Sequence, residues 1–264
     1  LPVSLSTQVR QFAANYVEIR PPKTNATLYF TGTTQVGLLA VQPHGGQGVW
    51  WGNRGDDMNS TLTKELDLTG LSAATLRFWL WYDIEKDWDY AYTEVSVDGG
   101  RTWKTLKGRY TTTLDPIGHN YGNGYTGKSD GWREEEVDLT PYAGRKVLLR
   151  FEYITDDAVN NPGLAVDDIC LLEAKQCDDA EADGAWQAQG FVRVGAFLPQ
   201  RFIVQVIAFT DSGVQVQQVP LDANNRGSLP LPDLGGKMQR AVLVVSGCTP
   251  VTTETAAYQY AIIK

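Results

Sequence analysis

Leu76-Arg77-Phe78-Trp79-Leu80-Trp81-Tyr82 is the stretch on which the fold turns. Leu76, Phe78, Leu80 and Tyr82 fall on one side of an extended chain, and Arg77, Trp79 and Trp81 on the other. Side chains alternate across a strand, so this period of two predicts a β-strand with its first set against a core. Val147-Leu148-Leu149-Arg150-Phe151-Glu152-Tyr153 repeats the pattern, with Val147, Leu149, Phe151 and Tyr153 on the inner side. Ala91, Thr93 and Val95 alternate with Tyr90, Tyr92 and Glu94 in a third strand. Helical periodicity is nearly absent.

An echo links the first two strands. Glu65-Leu66-Asp67-Leu68-Thr69 precedes one, and Glu136-Val137-Asp138-Leu139-Thr140 precedes the other. Each reads as strand, tight corner, strand. Two such units suggest the paired Greek keys of a double-sheet jelly roll. The acidic segment Ala174 to Ala185 breaks the alternation, and new strands follow it. The expected organisation is therefore a jelly roll over 1–174, with 1–30 as an entering strand or linker, and a smaller immunoglobulin-like sandwich over 175–264.

Composition agrees with an all-β chain. Among 264 residues, 26 glycines and 12 prolines punctuate a sequence that is 11% aromatic. The 31 acidic against 23 basic residues give a net charge of −8, which argues against nucleic acid and anionic membrane surfaces as partners. No apolar run is long enough to span a membrane. The first residue is Leu, as expected of a processed product or a part of something longer.

The motifs favour structure and binding over catalysis. His44 and His119 are the two histidines, and neither lies in H-E-x-x-H, so zinc hydrolysis of that type is not expected of this chain. No nucleophile elbow or phosphate loop is present. A glycosidase acid and base would need a defined carboxylate separation, which spacing in the sequence does not supply. Ser96-Val97-Asp98-Gly99-Gly100-Arg101-Thr102-Trp103 has the form of an Asp-box, a self-bonded hairpin turn. Cys170, Cys177 and Cys248 leave three arrangements open: Cys177 with Cys248, Cys170 with Cys177, or no bridge.

Carboxylates are the candidate metal ligands. Asp167 and Asp168 sit between Val166 and Ile169 in an otherwise apolar strand, and a carboxylate there is costly unless paired or bound to a cation. Calcium takes several carboxylate and carbonyl oxygens, so Asp57 and Asp168 are the expected ligands. Asp83, Glu85 and Asp89 form a second candidate cluster, against the plainer reading of solvated turn acids. Trp79, Trp81, Tyr90 and Tyr92 are expected on outward faces. They are either one exposed interaction surface or rings covered by the glycine-rich loop Gly118 to Gly127.

Several long stretches resemble the C-terminal region of immune inhibitor A, a family of secreted bacterial zinc metalloproteases. They include Val49-Trp50-Trp51-Gly52-Asn53-Arg54-Gly55-Asp56-Asp57, Trp88-Asp89-Tyr90-Ala91-Tyr92, Asn120-Tyr121-Gly122-Asn123-Gly124-Tyr125, Tyr153-Ile154-Thr155-Asp156-Asp157 and Leu198-Pro199-Gln200-Arg201-Phe202. The resemblance covers nearly the whole chain. It implies a MAM-like jelly roll followed by a small sandwich, both outside the catalytic domain. It also implies a secreted parent carrying zinc elsewhere, and structural calcium with no zinc here, its metal positions matching Asp57 and Asp168 first and Asp56 and Asp167 next. The upstream protease domain is then the expected partner, with a glycan or protein surface as a further ligand.

Overall fold

The computed structural model describes residues 3–20, 23–182 and 184–264. The first strands are β1 (Val3–Val9), β2 (Ala14–Ile19), β3 (Thr24–Gly32) and β4 (Gln35–Gly37). Then come β5 (Gly48–Trp51), β6 (Asn59–Asp67), β7 (Thr75–Asp83), β8 (Tyr90–Ser96), β9 (Lys104–Thr105), β10 (Gly124–Tyr125), β11 (Arg133–Asp138), β12 (Lys146–Ile154), β13 (Gly163–Leu171), β14 (Gln176–Asp178), β15 (Gln187–Gln189) and β16 (Val192–Gly195). The last are β17 (Phe197–Pro199), β18 (Phe202–Thr210), β19 (Gly213–Gln218), β20 (Arg226–Leu234), β21 (Met238–Gly247) and β22 (Ala256–Ile263). One 3₁₀ turn, Thr140–Tyr142, is the helical element among the described residues.

The chain divides into two compact units, one of residues 41–196 and one of 1–40 with 197–264. The first is the jelly roll. One sheet runs β10-β8-β12-β6-β15 with β9 on β8, and the other runs β11-β7-β13-β5-β16 with β14 on β13. Leu76, Phe78, Leu80 and Tyr82 from β7 meet Val147, Leu149, Phe151 and Tyr153 from β12 in one core. Phe78 and Phe151 touch edge to face, ring centroids 4.9 Å apart.

The echoed corners are built alike. Asp67 Oδ1 accepts the Thr69 N–H at 2.9 Å, and Asp138 Oδ1 accepts the Thr140 N–H at 2.8 Å. The threonine bonds hold both carboxyls below the usual aspartate range. The corners lie on each other's strands: Leu68 N–H donates to Arg145 O, and Leu139 N–H to Ala74 O.

In the second unit, β1-β22-β3-β20-β21-β18-β19 form a ladder, with β2 also on β21. β20 and β21 meet at a single pair, Leu234 with Met238. The ladder therefore folds there into two four-stranded halves, β1-β22-β3-β20 and β2-β21-β18-β19. Leu28, Phe30, Tyr258 and Tyr260 from one half share a core with Val204, Val206, Leu243 and Val245 from the other.

This partition corrects the expected boundary at 174/175. Strands β1 to β3 are integral to the C-terminal sandwich rather than an entering linker, and β15 and β16 still belong to the jelly roll, paired to β6 and β5. The acidic segment is stapled down. Glu181 Oε1 accepts the Gln47 and Gly48 N–H groups at 2.5 and 2.8 Å, and Asp178 Oδ2 accepts the Trp186 indole N–H at 3.0 Å. Asp183, the last acid of that segment, lies outside the described residues.

Candidate functional site

The end of β7 and its connection to β8 carry Asp83, Glu85, Asp87 and Asp89 within seven residues. It closes on itself: Asp89 N–H donates to Glu85 O at 3.0 Å, and Glu85 N–H points back to Asp89 Oδ2 at 3.4 Å. Thr126 braces the turn, accepting the Asp87 N–H at 2.8 Å and donating its hydroxyl to Glu85 O at 3.2 Å. The end of β12 arrives beside this turn. Asp156 N–H donates to Asp89 Oδ1 at 3.1 Å, and the Tyr153 hydroxyl lies 3.4 Å from Asp89 Oδ2.

The outcome is a triad of carboxylates. One oxygen each from Glu85, Asp89 and Asp156 lies within 4.8 Å of the others. Asp89 is fully buried. Burial raises its carboxyl to about 6 against the bonds from Asp156 and Glu85, and the neighbouring charges push it the same way. Burial also raises Glu85, with the Asp156 charge assisting. Among the described residues, no lysine, arginine or histidine forms an ion pair with any of the three. A divalent cation would supply the missing positive charge, and an all-oxygen donor set suits calcium or magnesium.

The predicted cluster is thus partly assembled. Glu85 and Asp89 are in it, while Asp83 turns to Lys128 Nζ at 2.9 Å. Asp156 takes the third place. In the sequence Asp156 stands out only within the stretch Tyr153-Ile154-Thr155-Asp156-Asp157 and not as a ligand, because its partners lie about 70 residues upstream.

The four other predicted ligands do not form one site. Asp57, in the left-handed region at φ 53°, packs beside the triad and gives its N–H to Asp156 O at 2.6 Å. Asp56 Oδ1 accepts from the Asn160 amide at 2.9 Å. Asp167 and Asp168 belong to the opposite sheet, at a bulge in β13 where it pairs with β7. There Asp167 is fully buried and accepts the N–H groups of His44 at 2.9 Å, Gly45 at 3.1 Å and Asp168 at 2.8 Å. Asp168 Oδ2 meets His44 Nδ1 at 2.6 Å, and the His44 ring stacks on Trp79 with centroids 3.7 Å apart. The apolar-strand acids are satisfied by a loop, a partner that strand periodicity cannot reveal.

Of the two readings of the aromatic residues, the single exposed surface is corrected, and the glycine-rich loop is what lies over Tyr90 and Tyr92. Trp79 and Trp81 lie on the sheet of β7, while Tyr90 and Tyr92 lie on the sheet of β8, so the four rings share no face. Trp81, Tyr90 and Tyr92 are buried and Trp79 is half-buried beneath His44. The loop before β10 covers the tyrosines. Tyr121 N–H donates to Tyr92 Oη at 3.0 Å, and Gly124 passes so close that a Cβ there would sit 2.7 Å from the Tyr90 ring. The exposed aromatics on this side are Trp88 and Tyr121.

The immune inhibitor A-like MAM domain family model matches residues 23–196, well over half of the chain. This chain belongs to that family. The match ends at residue 196, where the jelly-roll unit also ends. Pre-pro-metalloprotease PrtV of Vibrio cholerae is 38% identical over 160 residues, 60% of this chain and 17% of that protein. Immune inhibitor A of Bacillus thuringiensis subsp. alesti is 29% identical over 160 residues, 59% of this chain and 22% of that protein. Bacillopeptidase F of Bacillus subtilis matches more weakly, at 28% over 98 residues. The chain thus spans less than a quarter of the length of these relatives. No helix among the described residues is long and apolar enough to cross a membrane.

Proposed function

We infer that this chain is a non-catalytic accessory part of a secreted, immune-inhibitor-A-like zinc metalloprotease, in which it supports or steers the protease domain and holds a structural calcium ion. Membership in the MAM family carries the reading. Two relatives that match over 160 residues are named as a metalloprotease and as immune inhibitor A, and they align with this chain over a small fraction of their length. The sequence has no H-E-x-x-H to supply zinc chemistry of its own.

Calcium is assigned to Glu85, Asp89 and Asp156. Bound there, the ion would tie the β7–β8 connection to the end of β12 and offset the repulsion among three carboxylates. The test is thermal unfolding in millimolar calcium and in excess chelator. Calcium at a hundredfold its dissociation constant adds about 2.7 kcal/mol by mass action, a rise of roughly 5–10 °C for a chain of this size. Asp89→Asn should abolish that rise. Identical melting curves in calcium and chelator would remove calcium from the reading and leave the accessory role standing.

A second reading, a module that binds a carbohydrate or protein surface, is favoured by Trp88 and Tyr121, two large aromatic side chains left exposed beside the triad.

A further inference from the structure

β19 is the outermost strand of its half of the C-terminal sandwich, and all of its residues are exposed. It pairs with β18 through a tight turn, with Thr210 opposite Gly213, Phe209 opposite Val214 and Ile207 opposite Val216. In an antiparallel pair, alternate residues of a strand bond to the same neighbour. Val219 N–H donates to Val204 O at 2.8 Å, so by that alternation Gln217 and Gln215 also bond to β18. Val214, Val216 and Gln218 turn their N–H and C=O groups off the edge, where they meet no partner among the described residues. Other sheet edges in the chain are guarded. β11 carries Arg133 and three glutamates, and the Asn15 amide donates to Gln8 O on the β1 edge at 2.8 Å. β19 has no such device: from Ser212 to Leu221 the sequence carries no charge, and Pro220 comes only after the strand.

The register of this edge selects what completes it. Val214, Val216 and Gln218 offer three N–H and three C=O groups, a set that reads the same from either end. A second β19 laid antiparallel across a two-fold axis at Val216 sets Val216 against itself and Val214 against Gln218. Three N–H donors from each copy then make six bonds, and no edge group is left over. An axis at Gln215 or Gln217 would strand one N–H and one C=O in each copy. The side chains agree. Val242, Ile207 and Val216 form one row on the outward face, and the axis carries that row across the seam. Val216 is 59% exposed, so meeting its own copy removes apolar surface that the sandwich leaves open. Because the strand is uncharged, two chains of net charge −8 meet here without opposed carboxylates. Pro220 ends both strands at the same length.

We propose that the β19 edge is a two-fold docking surface for a second copy of this chain, centred on Val216. The proposal is independent of the accessory and calcium readings above. The Val214–Gln218 ladder falls below the roughly 1,200 Å² at which stable complexes begin, so the pair is a weak one, with a dissociation constant of about 10⁻⁵–10⁻⁴ M. Sedimentation equilibrium of the full chain, up to about 1 mM, tests it. The wild type should reach a dimer and nothing larger, since pairing uses up the edge. Val216→Lys and Val216→Glu should each weaken association about tenfold or more, because the axis sets like charges face to face. An equimolar mixture of the two variants should associate again, which unfolding would not allow. Val216→Pro should also give monomers with the hairpin kept, since β18 does not use the Val216 N–H. A wild type that stays monomeric at about 1 mM, or grows beyond a dimer, would overturn the proposal. So would charged variants that keep the wild-type affinity, or a mixture of them that stays apart.

Discussion

Asp167 sits with no solvent exposure in β13 and accepts three backbone N–H groups. Burial still dominates, with the Asp168 charge adding to it, and its carboxyl rises to about 6. The unfolded chain ionises an aspartate near 3.9. A pKa raised on folding means that the native state takes up a proton first as pH falls, so this group favours folding below the unfolded value and loses that contribution as pH climbs through about 6. Asp167 should therefore raise unfolding free energy by roughly 2 kcal/mol between pH 7.5 and pH 4.5. The measurement is urea unfolding across that range in wild type and Asp167→Asn, with the carboxyl carbon followed by NMR. A slope that survives unchanged in the variant, or a carboxyl titrating near 4, would contradict the assignment. The same residue illustrates where sequence reading stops. Its setting in an apolar strand flags a carboxylate needing a partner, but the partner is the backbone of His44 and Gly45, more than 120 positions away.

At the scale of elements, β13 and β14 form a hairpin in which Cys170 and Cys177 stand opposite each other and are bridged, leaving Cys248 free and half-buried. The bridge closes a short loop, for which chain entropy gives about 2.5 kcal/mol. Cys170→Ser with Cys177→Ser should lower unfolding free energy by roughly that amount, read from the urea midpoint. A midpoint equal to that of wild type would mean the ladder alone sets this hairpin. Strand faces were the most legible feature of the sequence. The inner residues named for β7 and β12 all lie in the jelly-roll core, because a two-residue period reports burial directly. The Asp-box was legible for the same local reason: Asp98 Oδ1 takes the N–H groups of Arg101 and Thr102 at 3.1 and 3.0 Å within one turn. What covers an outer face was legible only as one of two readings. Tyr90 and Tyr92 alternate outward as the pattern requires, and the chain before β10, the glycine-rich loop named as a cover, lies over them; that Trp79 and Trp81 belong to the other sheet, away from that loop, was not legible, because strand pairing is not written in local periodicity.

For the whole molecule, the informative fact is that both ends of the sequence build one sandwich. A fragment of residues 175–264 lacks β1 to β3. β22 would then lose both of its neighbours, and Leu231, Tyr258, Tyr260 and Ile262 would lose Leu28 and Phe30, which sit between β20 and β22 in the same core. That fragment should be unfolded or aggregated, whereas 41–196 should give the dispersed amide spectrum of a folded jelly roll. A well-dispersed NMR spectrum from 175–264 alone would refute the partition. The sequence boundary was misplaced because an acidic, unpatterned stretch resembles a linker, and nothing in local composition shows that β1 will find a strand about 250 residues later.

That long-range pairing has a mechanical consequence. β1 lies antiparallel to β22 with Val3 opposite Ile262 and Val9 opposite Ala256, so the two ends of the chain emerge side by side at the same end of one ladder. Tension applied between them loads the hydrogen bonds one after another from that end, as a zipper is opened, rather than all together in shear. The sandwich should therefore yield at low force when its ends are drawn apart, with β1 and β22 parting first.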